Sequence, residues 1–165
     1  YNVAFMNNGR FEQVGAPQGL YHDPKTAFVA GFVGDNNHWN GKASAVNGDR
    51  VELMTETGLS MKGCARGPLS AQASGALTIY VRPEFIKTRK AEDPGSAHDM
   101  ADTNMLEGKI DSLLFNGANS RILVRGPGQE LIEADIVLTG GTNDLKPGDL
   151  VQLTWPADQT MCFAA

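Results

Sequence analysis

Cysteine is scarce: Cys64 and Cys162 are the only two among the 165 residues. Two cysteines so far apart form neither a zinc pattern nor a disulfide framework, and they read as reduced thiols. No apolar run approaches the ~18 residues of a membrane span, and no secretory leader pattern is visible. Aromatics make up 7%, and 14 Lys+Arg face 19 Asp+Glu, for a net charge of −5. Nucleic-acid binders neutralise phosphates with cations and stack bases on aromatic platforms, so this composition excludes such a partner. The catalytic signatures are also missing. "GPGQ" at 126–129 and "GGTND" at 140–144 lack the spacing of a phosphate loop. His22, His38 and His98 are scattered, with no Cys or carboxylate at metal-ligand spacing. There is no nucleophile elbow, and the carboxylates of Glu92-Asp93 fall in a charged, solvated stretch.

What is abundant is glycine, 19 residues, with 8 prolines. That many turn formers point to many short strands. "VAFM" and "RFEQV" around Asn7-Asn8-Gly9 read as a hairpin, since Asn and Gly accept positive φ. Pro17 suits the first turn of a short helix, "PQGLYHD". "KTAFVAGFVG" is a second helix, with Phe28, Val29, Phe32 and Val33 at helical spacing and Gly34 as its C-terminal cap. From Trp39 the period becomes two: "WNGKASAV", "RVELMTE" and "LSMKGC" form a meander. Residues 63–76 read as a loop before "LTIYVR". Residues 87–104, rich in charge, read as an exposed loop. Strands resume with "MLEGKIDSLLFNG", "ANSRILVRG", "ELIEADIVL", "LVQLTW" and "TMCFAA". No tandem repeat is obvious. The body from residue 36 is therefore all-β, with eight or nine strands, and a closed or semi-closed barrel best removes their edges. Residues 1–35 form a separate α/β piece. The chain opens at Tyr1 directly into a strand, as expected of a piece of a longer protein.

The stretch "LTIYVRPEFI" (77–86) poses its own question. Leu77, Ile79 and Val81 alternate with Thr78, Tyr80 and Arg82, and then Pro83 breaks the ladder. On an extended backbone Arg82 and Glu84 project to one side, where a guanidinium fork and a carboxylate can tie down backbone or each other.

The block Met6, Gly9, Gln13, Gly15, Pro17, Leu20, Tyr21, Pro24, Phe28, Val29, Ala30, Phe32 and Gly34 resembles the end of the nucleotide-binding domain of ABC-importer ATPases. Phe11 replaces the usual aliphatic residue of that pattern. Arg82-Pro83-Glu84 resembles the "RPE" motif of the regulatory domain that follows. "LEGKIDSLLFNGANSRILVR" and "KPGDLVQLTWPADQTMCF" resemble its last β repeat, the TOBE module, at about 105–165. "VGDNN" favours the spermidine/putrescine-import branch, which also serves other small solutes.

This resemblance implies a mainly-β fold: a small OB-like/TOBE β-barrel regulatory domain over 36–165, preceded at 1–35 by a short α/β remnant of the nucleotide-binding domain. It implies a regulatory and dimerisation role in an importer ATPase. The parent protein would be a transporter ATPase using ATP and Mg, cytoplasmic and peripheral at the inner face of the membrane. The Walker motifs, signature and switch histidine belong upstream of Tyr1, so this piece has no catalytic residues and no cofactor or metal of its own. The implied partners are its own upstream ATPase domain, a second copy, the permease subunits and the solute-binding protein. The alternative is a free-standing molbindin-like binder of oxyanions or small molecules. A polyamine effector would need carboxylates and an aromatic face, for which Asp35, Trp39, Tyr80, Glu84, Glu107 and Asp111 are the candidates. Arg82, Pro83 and Glu84 are assigned as the structural clip where the first barrel meets the repeat.

Overall fold

A computed structural model describes residues 1–67, 75–91, 102–116, 119–136 and 145–165. The N-terminal hairpin pairs β1 (Val3–Asn7) with β2 (Arg10–Gly15). Asn8 and Gly9 take φ of 51° and 78°, the twist a two-residue hairpin turn requires. Helix α1 (Pro17–His22) starts on its proline. Helix α2 (Ala27–Phe32) is capped by the Thr26 side chain, which accepts from the Val29 amide at 3.3 Å.

Ten strands follow. β3 (Asn37–Asn47), β4 (Arg50–Thr55), β5 (Ser60–Ala65), β6 (Ala76–Val81) and the final β12 (Thr160–Ala164) close a barrel in the order β12-β5-β4-β3-β6. β7 (Lys87–Lys90), β8 (Thr103–Asn116), β9 (Asn119–Arg125), β10 (Leu131–Ile136) and β11 (Leu150–Pro156) form a sheet in the order β10-β9-β8-β11-β7. Lys87–Lys90, expected in an exposed loop, is instead a strand laddered to β11. Its charges misled because Lys87 and Arg89 sit on the exposed side of an outer strand. Residues 92–101, including Glu92, Asp93 and His98, lie outside the described residues, as does 140–144 of "GGTND".

The two five-stranded units are the same unit twice. β3-β4-β5-β6 corresponds in order and pairing to β8-β9-β10-β11. The long first strand of each bulges at a matching place, between Ala43 and Ala45 and between Ile110 and Ser112. Gly41 and Gly108 also match. A Cβ on Gly41 would lie 2.5 Å from the Met54 carbonyl, and one on Gly108 2.7 Å from that of Arg125, so both allow close strand approach. The fifth strand is exchanged. After β6 the chain crosses to give β7 to the second unit, and after β11 it crosses back to give β12 to the first. Each crossing is a single 3-10 turn, Pro83–Phe85 and Ala157–Gln159. This internal repeat is invisible to residue matching because almost every equivalent position carries a different side chain.

The exchange builds one core from both units. Leu53, Ile79, Ile110, Ile122, Ile132 and Leu153 are at most 2% exposed and belong to one cluster. Trp39 and Trp155 stack within it, ring centroids 6.4 Å apart and planes 7° apart. Two buried asparagines fasten unit to unit. Asn37 accepts from the Glu133 amide at 2.8 Å and donates to its carbonyl at 2.9 Å. Asn104 does the same to Lys62, at 2.8 and 2.7 Å. A side-chain amide thus imitates a ladder partner twice, and each leaves no backbone group of that pair orphaned.

Candidate functional site

The 3-10 turn at Pro83–Phe85 separates Arg82 from Glu84. The extended reading, which put both on one side, fails because the proline starts a turn there. Glu84 faces solvent, while Arg82 is 1% exposed. The Arg82 guanidinium lies 4.0 Å from the centroid of the Tyr21 ring. It donates to the Tyr21 carbonyl at 2.9 Å and to Asn36 Oδ1 at 3.3 Å. No carboxylate touches it among the described residues, and burial lowers its pKa. Gly34 adopts φ +105°, and a Cβ there would stand 3.0 Å from the Tyr21 ring and 3.1 Å from Arg82 Nη1. The arginine therefore joins three bodies: the N-terminal piece through Tyr21, the connecting segment through Asn36, and the crossing between units.

Beside this junction Arg121 gathers acids from β10 and the connector. It meets Asp135 at 2.8 Å, Asp35 at 3.0 Å and Glu133 at 3.0 Å. Desolvation opposes its charge, but the bonds to Asp135 and Asp35 outweigh that and raise its pKa. Glu84 stands within electrostatic reach. Partial desolvation, then Asp135, raise its pKa against the opposing pull of its own backbone amide and of Arg121. The equivalent place in the other unit is different. Arg50, the counterpart of Arg121, pairs with Asp102 at 3.1 Å, as Arg121 pairs with Asp35. Where Glu133 and Asp135 stand, however, it has Lys62 and Cys64. A cleft of about 480 Å³ opens there, with Arg50 and Lys62 balanced by Glu52 and Asp102.

The proposed effector residues scatter over this frame. Asp35 pairs with Arg121, and Glu84 stands within its electrostatic reach. Trp39 is in the core at 6% exposure and offers no face to a ligand. Tyr80 is half-buried, tilted against His38 at 5.1 Å and edge-on to Phe163 at 6.0 Å. Asp111 occupies the β8 bulge and pairs with Arg125 at 3.3 Å. Glu107 is exposed four positions earlier on the same strand. Sequence reasoning missed Tyr21, Asn36, Arg121, Glu133 and Asp135. The alternation of "ELIEADI" put Glu133 and Asp135 on one face, but nothing in the sequence showed that Arg121 lay opposite. Among the described residues no group of three or more His, Cys, Asp or Glu could hold a metal ion. No helix there is long and apolar enough to cross a membrane.

Strand exchange, reciprocal asparagine clamps and 3-10 crossings define a tandem, OB-like β-barrel module. The chain belongs to the TOBE domain family, whose model matches residues 79–163. It is similar to a spermidine/putrescine import ATP-binding protein of Trichormus variabilis, 32% identical over 123 residues, covering 74% of this chain and 31% of that protein. A second protein of that description, from Rubrobacter xylanophilus, is 28% identical over 94% of this chain and 38% of its own length. A sulfate/thiosulfate import ATP-binding protein of Chromobacterium violaceum is 31% identical over 98% and 40%. The chain thus spans about a third of the length of the curated relatives it matches. Among solved structures it is similar to the cytoplasmic molybdate-binding protein ModG. The TM-score is 0.67 at 15% identity, covering 78% of this chain and 96% of that one; the likeness is one of fold.

Proposed function

We propose that this chain is the regulatory segment of the ATP-hydrolysing subunit of an ABC importer, and that residues 1–35 are the end of that subunit's ATP-binding domain. The observation that carries this reading is the pairing of the N-terminal piece with the barrels. The import ATP-binding relatives match over as much as 98% of this chain. The ModG likeness covers 78% and leaves out a share about the size of that piece. A free-standing binder has no use for such a piece.

Its surface supports the same reading. Met6 is 55% exposed, Phe11 68%, Val14 55% and Phe32 69%. Phe32 stands edge-on to Phe5 at 5.1 Å and stacks on Phe28 at 6.2 Å. An aromatic cluster this open suits an interface with further protein, here the rest of the ATP-binding domain. ATP and Mg would be held there, and the barrels would pair two subunits about a two-fold axis. The subunit would sit at the inner face of the membrane with permease partners, importing a polyamine or a related small solute.

The test is uptake. Cells carrying the encoding gene, or a version lacking residues 36–165, are offered labelled spermidine and labelled sulfate. Loss or altered control of uptake of one solute is expected, and unchanged uptake of both overturns the reading.

A further inference from the structure

The two crossings make the same 3-10 turn from opposite sides of the repeat. In the first, the residue before the turn is Arg82, with φ −76° and ψ 138°. In the second it is Pro156, with φ −68° and ψ 145°. A proline, with no side-chain donor, serves the crossing equally well. The arginine is therefore not required by the barrel fold. What it adds is the contact with the N-terminal piece: the Tyr21 ring and carbonyl, and Asn36, whose Nδ2 in turn donates to the Ala30 carbonyl at 2.7 Å at the end of α2.

We infer that Arg82 is a releasable latch, holding α1 and α2 in a fixed orientation on the barrels and able to let go without unfolding them. Its chemistry suits release. A buried arginine paired with a buried carboxylate is hard to separate, because parting leaves two uncompensated charges. Among the described residues Arg82 has only neutral acceptors and a ring face. If α1 withdraws, the guanidinium regains water, and hydration offsets much of what the cation–π contact and two hydrogen bonds contributed. A side chain at Gly34 would be strained by its positive φ and would press on both latch partners, its Cβ 3.0 Å from the Tyr21 ring and 3.1 Å from Arg82 Nη1.

The latch touches the rest of the frame through adjacent residues. Asn36 holds Arg82, and Asn37 holds Glu133 of the second unit, on the strand whose acids engage Arg121. A shift of the second unit therefore reaches the latch through one peptide bond. The latch rests on this geometry alone; that it transmits to an ATP-binding domain rests on the importer reading.

The test uses this chain. Both tryptophans lie in the shared core, so their fluorescence follows the barrels, while amide exchange follows residues 17–34. In Arg82→Gln, exchange over 17–34 is expected to quicken by about tenfold or more, with the tryptophan denaturation midpoint nearly unchanged. Tyr21→Leu keeps the carbonyl and removes the ring, and is expected to quicken the same segment by a smaller factor. Neither effect depends on salt, since no ion pair is involved. Exchange within about twofold of the parent in both variants overturns the latch. So does a barrel midpoint that falls together with the N-terminal piece, which would make Arg82 an ordinary core residue. If Arg82→Gln does not fold, the Tyr21→Leu result decides by the same two criteria. Failure here leaves the importer reading standing, and failure of the uptake test leaves the latch standing.

Discussion

Asn37 and Asn104 do the same task in the two barrel units, and the residues around them do opposite ones. Each asparagine takes both backbone groups of one residue in the other unit. Beside the first stand Arg121, Asp35, Glu133 and Asp135; beside the second stand Arg50, Asp102, Lys62 and Cys64. The turn Thr55–Leu59 and the turn Gly126–Glu130 also correspond, closed by equivalent bonds from Thr55 to Leu59 and from Gly126 to Glu130. Leu59 packs on the core, whereas the Glu130 carboxylate is buried with no donor for either oxygen among the described residues. The backbone conserves the fold between the halves, and the side chains at matched positions separate two roles. The clamps and bulges are what the fold demands twice. What differs is free to carry function.

The largest effect tests the demanded part. Asn37→Ala and Asn104→Ala each strip a buried amide and carbonyl of their partners, and unsatisfied buried groups cost about 1–3 kcal/mol apiece. Each variant should lose roughly 3 kcal/mol in chemical denaturation, since each Nδ2 also has a second acceptor, the Val81 carbonyl at 3.3 Å for Asn37 and the Thr160 hydroxyl at 3.0 Å for Asn104. A clamp that could be removed for under about 1 kcal/mol would break the equivalence of the halves.

The second effect has the opposite sign. Replacing Glu130 by the residue its counterpart carries, Glu130→Leu, removes a carboxylate that lies against Gly126 and Gly128 and that no donor satisfies among the described residues. The variant should gain about 1–2 kcal/mol. A loss would show that this turn, unlike its twin, has no room for an apolar side chain.

The third compares the arginines. Arg121→Met breaks three ion pairs and leaves Asp35, Glu133 and Asp135 facing one another, for a loss near 1 kcal/mol that salt reduces. Arg50→Met breaks one exposed pair, with Asp102 74% exposed, and should fall within about 0.5 kcal/mol. Equal losses would mean that the extra acids around Arg121 contribute nothing.

Much of this frame could be read in the residues. The alternation of Leu77, Ile79 and Val81 gave β6 its inner face, and Asn8-Gly9 marked the hairpin. The family resemblance reached the TOBE module from its last repeat. The exchange of β7 and β12 could not be read, because strand pairing between residues so far apart leaves no local pattern. Arg82 illustrates the limit best. Its position after a strand and before a proline was evident, but its burial depends on Tyr21, Gly34 and Asn36 folding over it from another part of the chain. Trp39 shows the converse error: a residue type suited to binding cations is spent on stacking with Trp155.

The smallest effect concerns Glu84, a proposed effector carboxylate within electrostatic reach of Arg121. Its pKa in the folded chain lies above the ordinary 4.5, first through desolvation, then through Asp135, with its own backbone amide and Arg121 pulling the other way. For an acid the sign follows directly. The folded state favours the protonated form, so the contribution to stability is present below the unfolded pKa and is lost as pH rises through the folded one. Stability relative to Glu84→Gln should therefore fall as pH rises from about 4.5, and then level once the carboxylate is fully ionised. Thermal denaturation of the parent chain and Glu84→Gln from pH 4 to pH 7 checks this, where the range is about that of carboxylate titration. Parallel curves for the parent chain and Glu84→Gln would show that Glu84 is held no differently from an ordinary surface acid, and the distinction between the two crossings would then rest on Arg82 alone.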